Sequence, residues 1–287
     1  MSVPGDLSPR RRPPWQRALL IVSALGFVLG IVLSIRARPE LVSDLSYGPL
    51  VALALVAIPI TVLLNAEEFR LSARLLGQEV PRIAAAEVTI VASVANMLPI
   101  PGGTMVRVAA LKAGGARVRD GTIATLLIAA FWIGVALLYA GAWLAASAAS
   151  PVADLGIGCS IVGGVVLASA MLIGHRMFGK DEVLLGLVLV KCGLVLVDAT
   201  RIYLSMLALN ANGTFIQASV LSVSSVAGAT VSIVPAGLGI REATAALLAP
   251  LVALPAASAF LATGLNRLVG LAIMAPVATA LGLRKRT

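Results

Sequence analysis

TIATLLIAAFWIGVALLYAGAWLAASAA, residues 122–149, runs 28 positions without one charged side chain. As a helix it would rise about 42 Å, more than the roughly 30 Å hydrocarbon core of a bilayer. It does not alternate polar and apolar residues as a barrel strand does, so a helix is the structure it predicts. Five further apolar runs, at 18–35, 49–66, 155–174, 183–209 and 256–283, are also long enough to span.

Composition agrees with this. Of 287 residues, 59% are hydrophobic and 12% charged, and the mean hydropathy is +1.01. That leaves too little polar surface to coat a soluble globule. The expected fold is all-α, a polytopic membrane protein with six full spans. A basic stretch, Arg10, Arg11, Arg12 and Arg17, precedes the first run, which lacks a small-residue cleavage site before Arg36 and is read as a retained signal anchor. Cys159 and Cys192 lie in apolar runs with no partner spacing, so no disulfide framework or metal site is suggested. The formal charge of +9 has no compact basic domain to present it to nucleic acid.

Two elements are too short to span. Residues 83–98 lead into Pro99-Ile100-Pro101-Gly102-Gly103, followed by an apolar piece at 104–113, about 15 Å of helix. Proline lacks a donor N–H and glycine is a poor helix former, so the chain breaks there. The run at 215–234 likewise meets Pro235-Ala236-Gly237 before 238–254. Each is expected to form a re-entrant hairpin, tolerated where its broken backbone is buried in protein or lines a cavity.

Charge placement favours hairpins. With both elements re-entrant and the N-terminus cytoplasmic, 15 of the 22 basic residues fall on the cytoplasmic side: Arg10, Arg11, Arg12, Arg17, Arg70, Arg74, Arg82, Lys112, Arg117, Arg119, Arg176, Lys180, Arg284, Lys285 and Arg286. Making 83–98 a full span would invert everything after it, against the positive-inside tendency. Both termini are therefore expected in the cytoplasm.

Pro101-Gly102-Gly103-Thr104-Met105-Val106-Arg107 matches Pro235-Ala236-Gly237-Leu238-Gly239-Ile240-Arg241 at a separation of 134 residues. Upstream, Val91-Ala92-Ser93-Val94-Ala95 resembles Val223-Ser224-Ser225-Val226-Ala227, and Arg70-Leu71-Ser72 resembles Tyr203-Leu204-Ser205. The order of all three predicts an internal duplication. Three spans, an odd number, separate the breaks, so the copies are inverted, an arrangement found in transporters. The chain divides into a basic segment at 1–17, one transmembrane domain at 18–283 with inverted repeats about 47–149 and 183–283, and a basic tail at 284–287.

Arginine near a helix start inside a membrane suits an anion. The dipole and unpaired N–H groups at the break glycines, Gly102, Gly103 and Gly237, favour negative charge, and the guanidinium fork fits phosphate or carboxylate. Arg107 and Arg241 are the principal candidates. Two roles are open to them: binding an anionic head group, or pairing with a buried acid, Glu87 for Arg107 and Glu242 or Asp198 for Arg241. Lys191, Asp198 and Arg201 share one run and form either a charged lining or, in the alternative, an interhelical lock of Lys191 with Asp198 and an Arg201 that snorkels to the membrane boundary. Glu87 is a possible proton carrier, and Arg267 beside Asn266 faces the same choice as the other arginines. Buried intramembrane charges are usually functional. An enzyme is not expected: the single histidine, His175, sits beside Arg176 at a span end, and Ser93, Ser224 and Ser225 have no histidine to activate them.

The stretch from Arg70 through Gly77 to Pro101-Gly102-Gly103-x-x-x-Arg107 resembles the transmembrane region of the lysylphosphatidylglycerol synthase family of flippase-like membrane proteins. Pro235-Ala236-Gly237-Leu238-Gly239-Ile240-Arg241-Glu242, followed by Asn266-Arg267, is similar to that family's second signature and its downstream arginine. The resemblance covers most of 41–283. Two features depart from it: 124–132 lacks an acidic-arginine pair, and Ala236 stands where a glycine is usual. The resemblance implies handling or translocation of anionic or aminoacylated phospholipids, or of polyprenyl-phosphate-linked lipids, in a bacterial cytoplasmic membrane. Arg107, Arg241, Glu242 and Arg267 carry the match. The sequence ends at Thr287 without the soluble aminoacyl-transfer domain of bifunctional members, so lipid aminoacylation is not expected. Partners are then membrane lipids through an anionic head group, with a homo-oligomer or an envelope-biosynthesis enzyme also open, the latter making the chain a non-transporting scaffold.

Overall fold

The computed structural model describes residues 14–96, 102–147, 151–230 and 239–284. Among them every regular element is helical. Apart from a single helical turn at Glu40–Ser43, the helices are α1 (Pro14–Ala37), α2 (Tyr47–Leu75), α3 (Arg82–Ala95), α4 (Gly102–Ala113), α5 (Val118–Ser147), α6 (Val152–Phe178) and α7 (Asp181–Ala208). There follow α8 (Phe215–Leu221), α9 (Val223–Thr230), α10 (Ile240–Leu248) with a 3-10 turn at Ala249–Val252, and α11 (Ala256–Arg284). Five of them, α2, α5, α6, α7 and α11, are long and apolar enough to cross a membrane. The first apolar run forms α1 and is not among the five. Pro99, Pro101 and the second break, including Gly237, lie outside the described residues.

The second span differs from expectation. Its apolar run ends at residue 66, but the helix continues to Leu75, and its last turns are packed inside the protein: Glu68 is buried, as are Phe69, Leu71 and Ala73. Inside α2, Leu53–Ala57 forms a π-helical turn.

The surface is apolar, and the interior, although mostly apolar too, holds several charged side chains. Leu55, Leu63, Leu126, Val165, Leu189 and Leu196 face outward on the long helices, whereas Glu68, Lys191, Arg201, Glu242 and Asn266 are buried. A soluble protein sorts these residues the other way.

The helices pair closely where side chains are small. On α5 and α6, Gly134 meets Gly163 and Gly141 meets Gly156: a Cβ on Gly141 would stand 2.7 Å from the Gly156 carbonyl oxygen, and one on Gly163 would stand 2.7 Å from that of Gly134. Glycines seven residues apart on each helix thus mesh antiparallel and bring the two backbones together. α2 and α7 also run antiparallel. Thr61 meets Arg201, Leu64 lies against Gly193, Glu68 meets Lys191 and Leu71 lies against Gly186.

These two helices end in the same way, 133 residues apart. Gln78 N–H donates to the Ala73 carbonyl (2.9 Å) and Ala211 N–H to that of Met206 (3.0 Å), with Gly77 and Asn210 at positive φ between them. Both are helix C-caps of the Schellman type. Helices α3 and α8 then begin at Arg82 and Phe215 after extended caps, Pro81 and Thr214. A second matched cap, Ala116 to Leu111 (3.1 Å) and Leu254 to Ala249 (3.0 Å), precedes α5 and α11. Packing follows the same exchange: α1 lies on α11 as α6 lies on α5, and α3 packs on α11 as α8 packs on α5.

Each short-helix segment also returns to where it began. The Gln78 side chain, just before α3, donates to the Leu111 carbonyl near the end of α4 (2.9 Å). Likewise Gln217, at the start of α8, donates to the Val252 carbonyl beyond α10 (2.8 Å).

Candidate functional site

A polar seam runs along the contact between α2 and α7. Thr61, Asn65 and Glu68 recur at i, i+4 and i+7 on α2, which puts them on one face, and Lys191, Asp198 and Arg201 do the same at longer spacing on α7. Lys191 and Arg201 are ten residues apart, about 15 Å along the helix. The seam therefore holds two separate charged nests.

In the first nest Glu68 is 2% exposed and each of its oxygens takes a different cation. Arg107 Nη1, from α4, donates to Oε1 (2.7 Å), and Lys191 Nζ, from α7, donates to Oε2 (2.7 Å). Arg107 Nη2 also reaches Asn65 Oδ1 at 3.3 Å. Lys191 lies 5.4 Å above the Trp132 ring on α5, a cation–π contact that further holds the ammonium in place. Two cations and one carboxylate meet here.

In the second nest Arg241 Nη2, from α10, donates to Asp198 Oδ1 (2.9 Å), and the Ser225 hydroxyl donates to Oδ2 of the same carboxylate. Arg201 is 8% exposed; its Nε donates to Asn266 Oδ1 (2.9 Å) and its Nη1 to Thr61 Oγ1 (3.4 Å). Glu242, fully buried, accepts from the Gly239 N–H (3.0 Å), capping α10, and pairs with Arg267 Nε at 3.0 Å. Asn266 Nδ2 and Arg241 Nε are buried with no acceptor among the described residues. A buried donor left unsatisfied costs ~1–3 kcal/mol.

Of the residues anticipated from sequence, Arg107 and Lys191 meet in the first nest, and Arg241, Asp198, Arg201, Glu242 and Arg267 gather in the second. Arg241 has Asp198 as its acid. The Lys191–Asp198 lock does not form: Lys191 pairs with Glu68 and Asp198 with Arg241, so α7 splits its charges between the nests. Arg201 is buried among α2, α7 and α11 and does not reach out to a boundary. Glu87 is half-buried on α3. The helix starts are less open than expected. Gly103 N–H donates to Asn96 Oδ1 (2.8 Å), and a Cβ on Gly102 would stand 2.1 Å from the Ala95 carbonyl oxygen. Glycine is needed at 102 for this close approach to the α3 backbone, and Asn96 and Glu242 occupy the N-termini that an anion would otherwise find.

Sequence reasoning missed Glu68, Asn65 and Thr61. Their common face on α2 was the available signal, hidden because the apolar run stops before Glu67. His175, at the end of α6, bonds Asp181 at the exposed surface (2.7 Å). Comparison with known proteins finds no matching family model, no similar curated protein and no similar solved structure.

Proposed function

We propose that this protein is a lipid transporter that moves an anionic head group across a bacterial cytoplasmic membrane between two inverted copies of one unit. The observation that carries the reading is the pair of cation-rich nests buried in apolar helices at two depths. Glu68 lies seven residues from the Leu75 end of α2 and Arg201 seven from the Ala208 end of α7, each about 10 Å in, from opposite ends of the antiparallel pair. Cations that far from water are expensive and are retained where they meet a polar cargo. The matched caps, the exchanged packing and the antiparallel α2 and α7 support an inverted duplication, in which each copy gates one side. The returning Gln78–Leu111 and Gln217–Val252 bonds support hairpins that enter and leave by the same face. On this reading α1 completes six spans, and the basic Arg70–Arg82 end faces the cytoplasm, as do both termini. The likeness to the flippase-like family points to the same class of cargo.

The test is translocation of fluorescent phosphatidylglycerol in proteoliposomes, read by quenching from the outer side. Arg241→Ala is expected to abolish head-group movement while the protein still inserts into the vesicles. Transport undiminished by that change would refute the proposal.

A further inference from the structure

Five buried or part-buried cations line the two nests, and four of them have a carboxylate within ion-pair distance. Arg107 and Lys191 share Glu68, Arg241 has Asp198, and Arg267 has Glu242. Arg201 differs. Among the described residues its side-chain hydrogen bonds go only to the neutral oxygens of Asn266 and Thr61, although it is 8% exposed. A guanidinium carries five N–H donors in a planar fork, and two neutral contacts leave most of that capacity unused.

Its surroundings share the same surplus. Asn266 is wholly buried, gives its oxygen to Arg201, and is left with an amide Nδ2 that has no acceptor among the described residues. Arg241 Nε, in the same nest, also lacks one. On α11, one turn beyond Asn266, Gly270 leaves room for the guanidinium: a Cβ there would lie 3.4 Å from Arg201 Nη2. On the opposite side, the Thr61 hydroxyl is directed to the Ala57 carbonyl (2.8 Å), so it accepts from Arg201 without supplying charge. Among the described residues this corner sets three arginines, Arg201, Arg241 and Arg267, against two carboxylates, Asp198 and Glu242; Glu242 Oε1 also makes no hydrogen bond but lies 3.0 Å from Arg267 Nε as its ion-pair partner, so the positive charge in excess is that of Arg201. What complements it is a compact group with several oxygens and a negative charge.

We infer that Arg201 and Asn266 form the anion subsite of the second nest and that its ligand is a phosphate-type oxyanion. Arg241–Asp198 and Arg267–Glu242 then serve as its fixed walls, already neutralised. The inference rests on the transport reading only for the source of the phosphate. A phospholipid head group and free phosphate carry the same chemistry, and the wider site decides between them.

The experiment uses purified full-length protein in detergent and in vesicles, with wild type, Arg201→Gln, Arg201→Lys and Arg241→Ala. Thermal unfolding is followed with phosphatidylglycerol, with phosphatidylcholine or with inorganic phosphate, and translocation is measured in parallel. A ligand that binds the folded state raises its melting temperature. Phosphatidylglycerol is expected to raise that of wild type more than phosphatidylcholine does, to lose at least tenfold in apparent affinity with Arg201→Gln, and to recover in part with Arg201→Lys, which keeps the charge without the fork. Without ligand, Arg201→Gln is expected to be no less stable than wild type, because it removes a charge with no carboxylate at ion-pair distance. If inorganic phosphate also raises the melting temperature in an Arg201-dependent way, the subsite takes the oxyanion free of lipid; if only the lipid does so, the acyl chains are part of recognition. Should Arg201→Gln bind and move the anionic lipid as wild type while Arg241→Ala fails, the subsite is wrong and the transport reading stands. Arg201-dependent binding in a protein that moves no lipid would sink transport and leave the subsite. Absence of any anion-dependent shift in wild type overturns the subsite.

Discussion

Glu68 is the residue on which the first nest depends. Taking a carboxylate out of water costs several kcal/mol, and here two cations on separate helices offset that cost. Glu68→Gln would leave Lys191 and Arg107 facing each other with no negative charge between them, and is expected to lower stability by about 3–5 kcal/mol. Adding Lys191→Met restores the net charge of the nest. The double variant should therefore unfold at a higher temperature in detergent than Glu68→Gln alone, and additive losses would show the three groups to be uncoupled. At this scale the basic members of the site are legible, since an arginine or lysine inside an apolar run is costly to place there and stands out from its neighbours. Glu68 is not, because it follows Glu67 at the point where the apolar run ends. Glu67 pairs with Arg70 near the surface (2.5 Å), whereas Glu68 turns inward. The sequence carries both as the same boundary pair, and only the helix rotation separates them.

Among the elements, the α5–α6 contact is sensitive to side-chain size along its whole length. Gly141 lies against the Gly156 backbone, whereas Gly158 on α6 has open space where its Cβ would be. Gly141→Val forces the two backbones apart and is expected to cost about 1–3 kcal/mol. Gly158→Val, with nothing to displace, should stay within about 0.5 kcal/mol of wild type. Equal losses from the two, measured by thermal unfolding in the same detergent, would mean that helix propensity and not close packing decides the effect. The helices themselves are legible in the runs that build them, because length and hydropathy are local properties. Their partners are not. A glycine at 141 and one at 158 look alike in apolar runs, and their difference arises from the face that each helix turns to the other.

For the molecule as a whole, the antiparallel packing of α2 and α7 has a consequence that can be measured from outside. If these helices are equivalent members of two copies, their matched C-caps lie at opposite ends of the bundle. The Gly77 turn sits near Lys180, whose Nζ donates to the Arg74 carbonyl (2.8 Å). The Asn210 turn sits beside Ser46, whose N–H donates to the Ala208 carbonyl (2.8 Å). The sequence expects the inversion from an odd number of spans and from the gathering of basic residues on one side. The folded chain contributes the contacts that tie each turn to its own end. Glu79 and Asn212 are exposed on these two turns. With Cys159 and Cys192 replaced by alanine, Asn212→Cys is expected to react with a membrane-impermeant maleimide in intact cells. Glu79→Cys should react only after the membrane is opened, if the basic end faces the cytoplasm as proposed. Labelling of both from the same side would place the two caps together and remove the inverted duplication on which alternating access depends. Labelling in the reverse order would keep the inversion and turn the protein over in the membrane, so that the second nest, with Arg201, would lie nearer the cytoplasm.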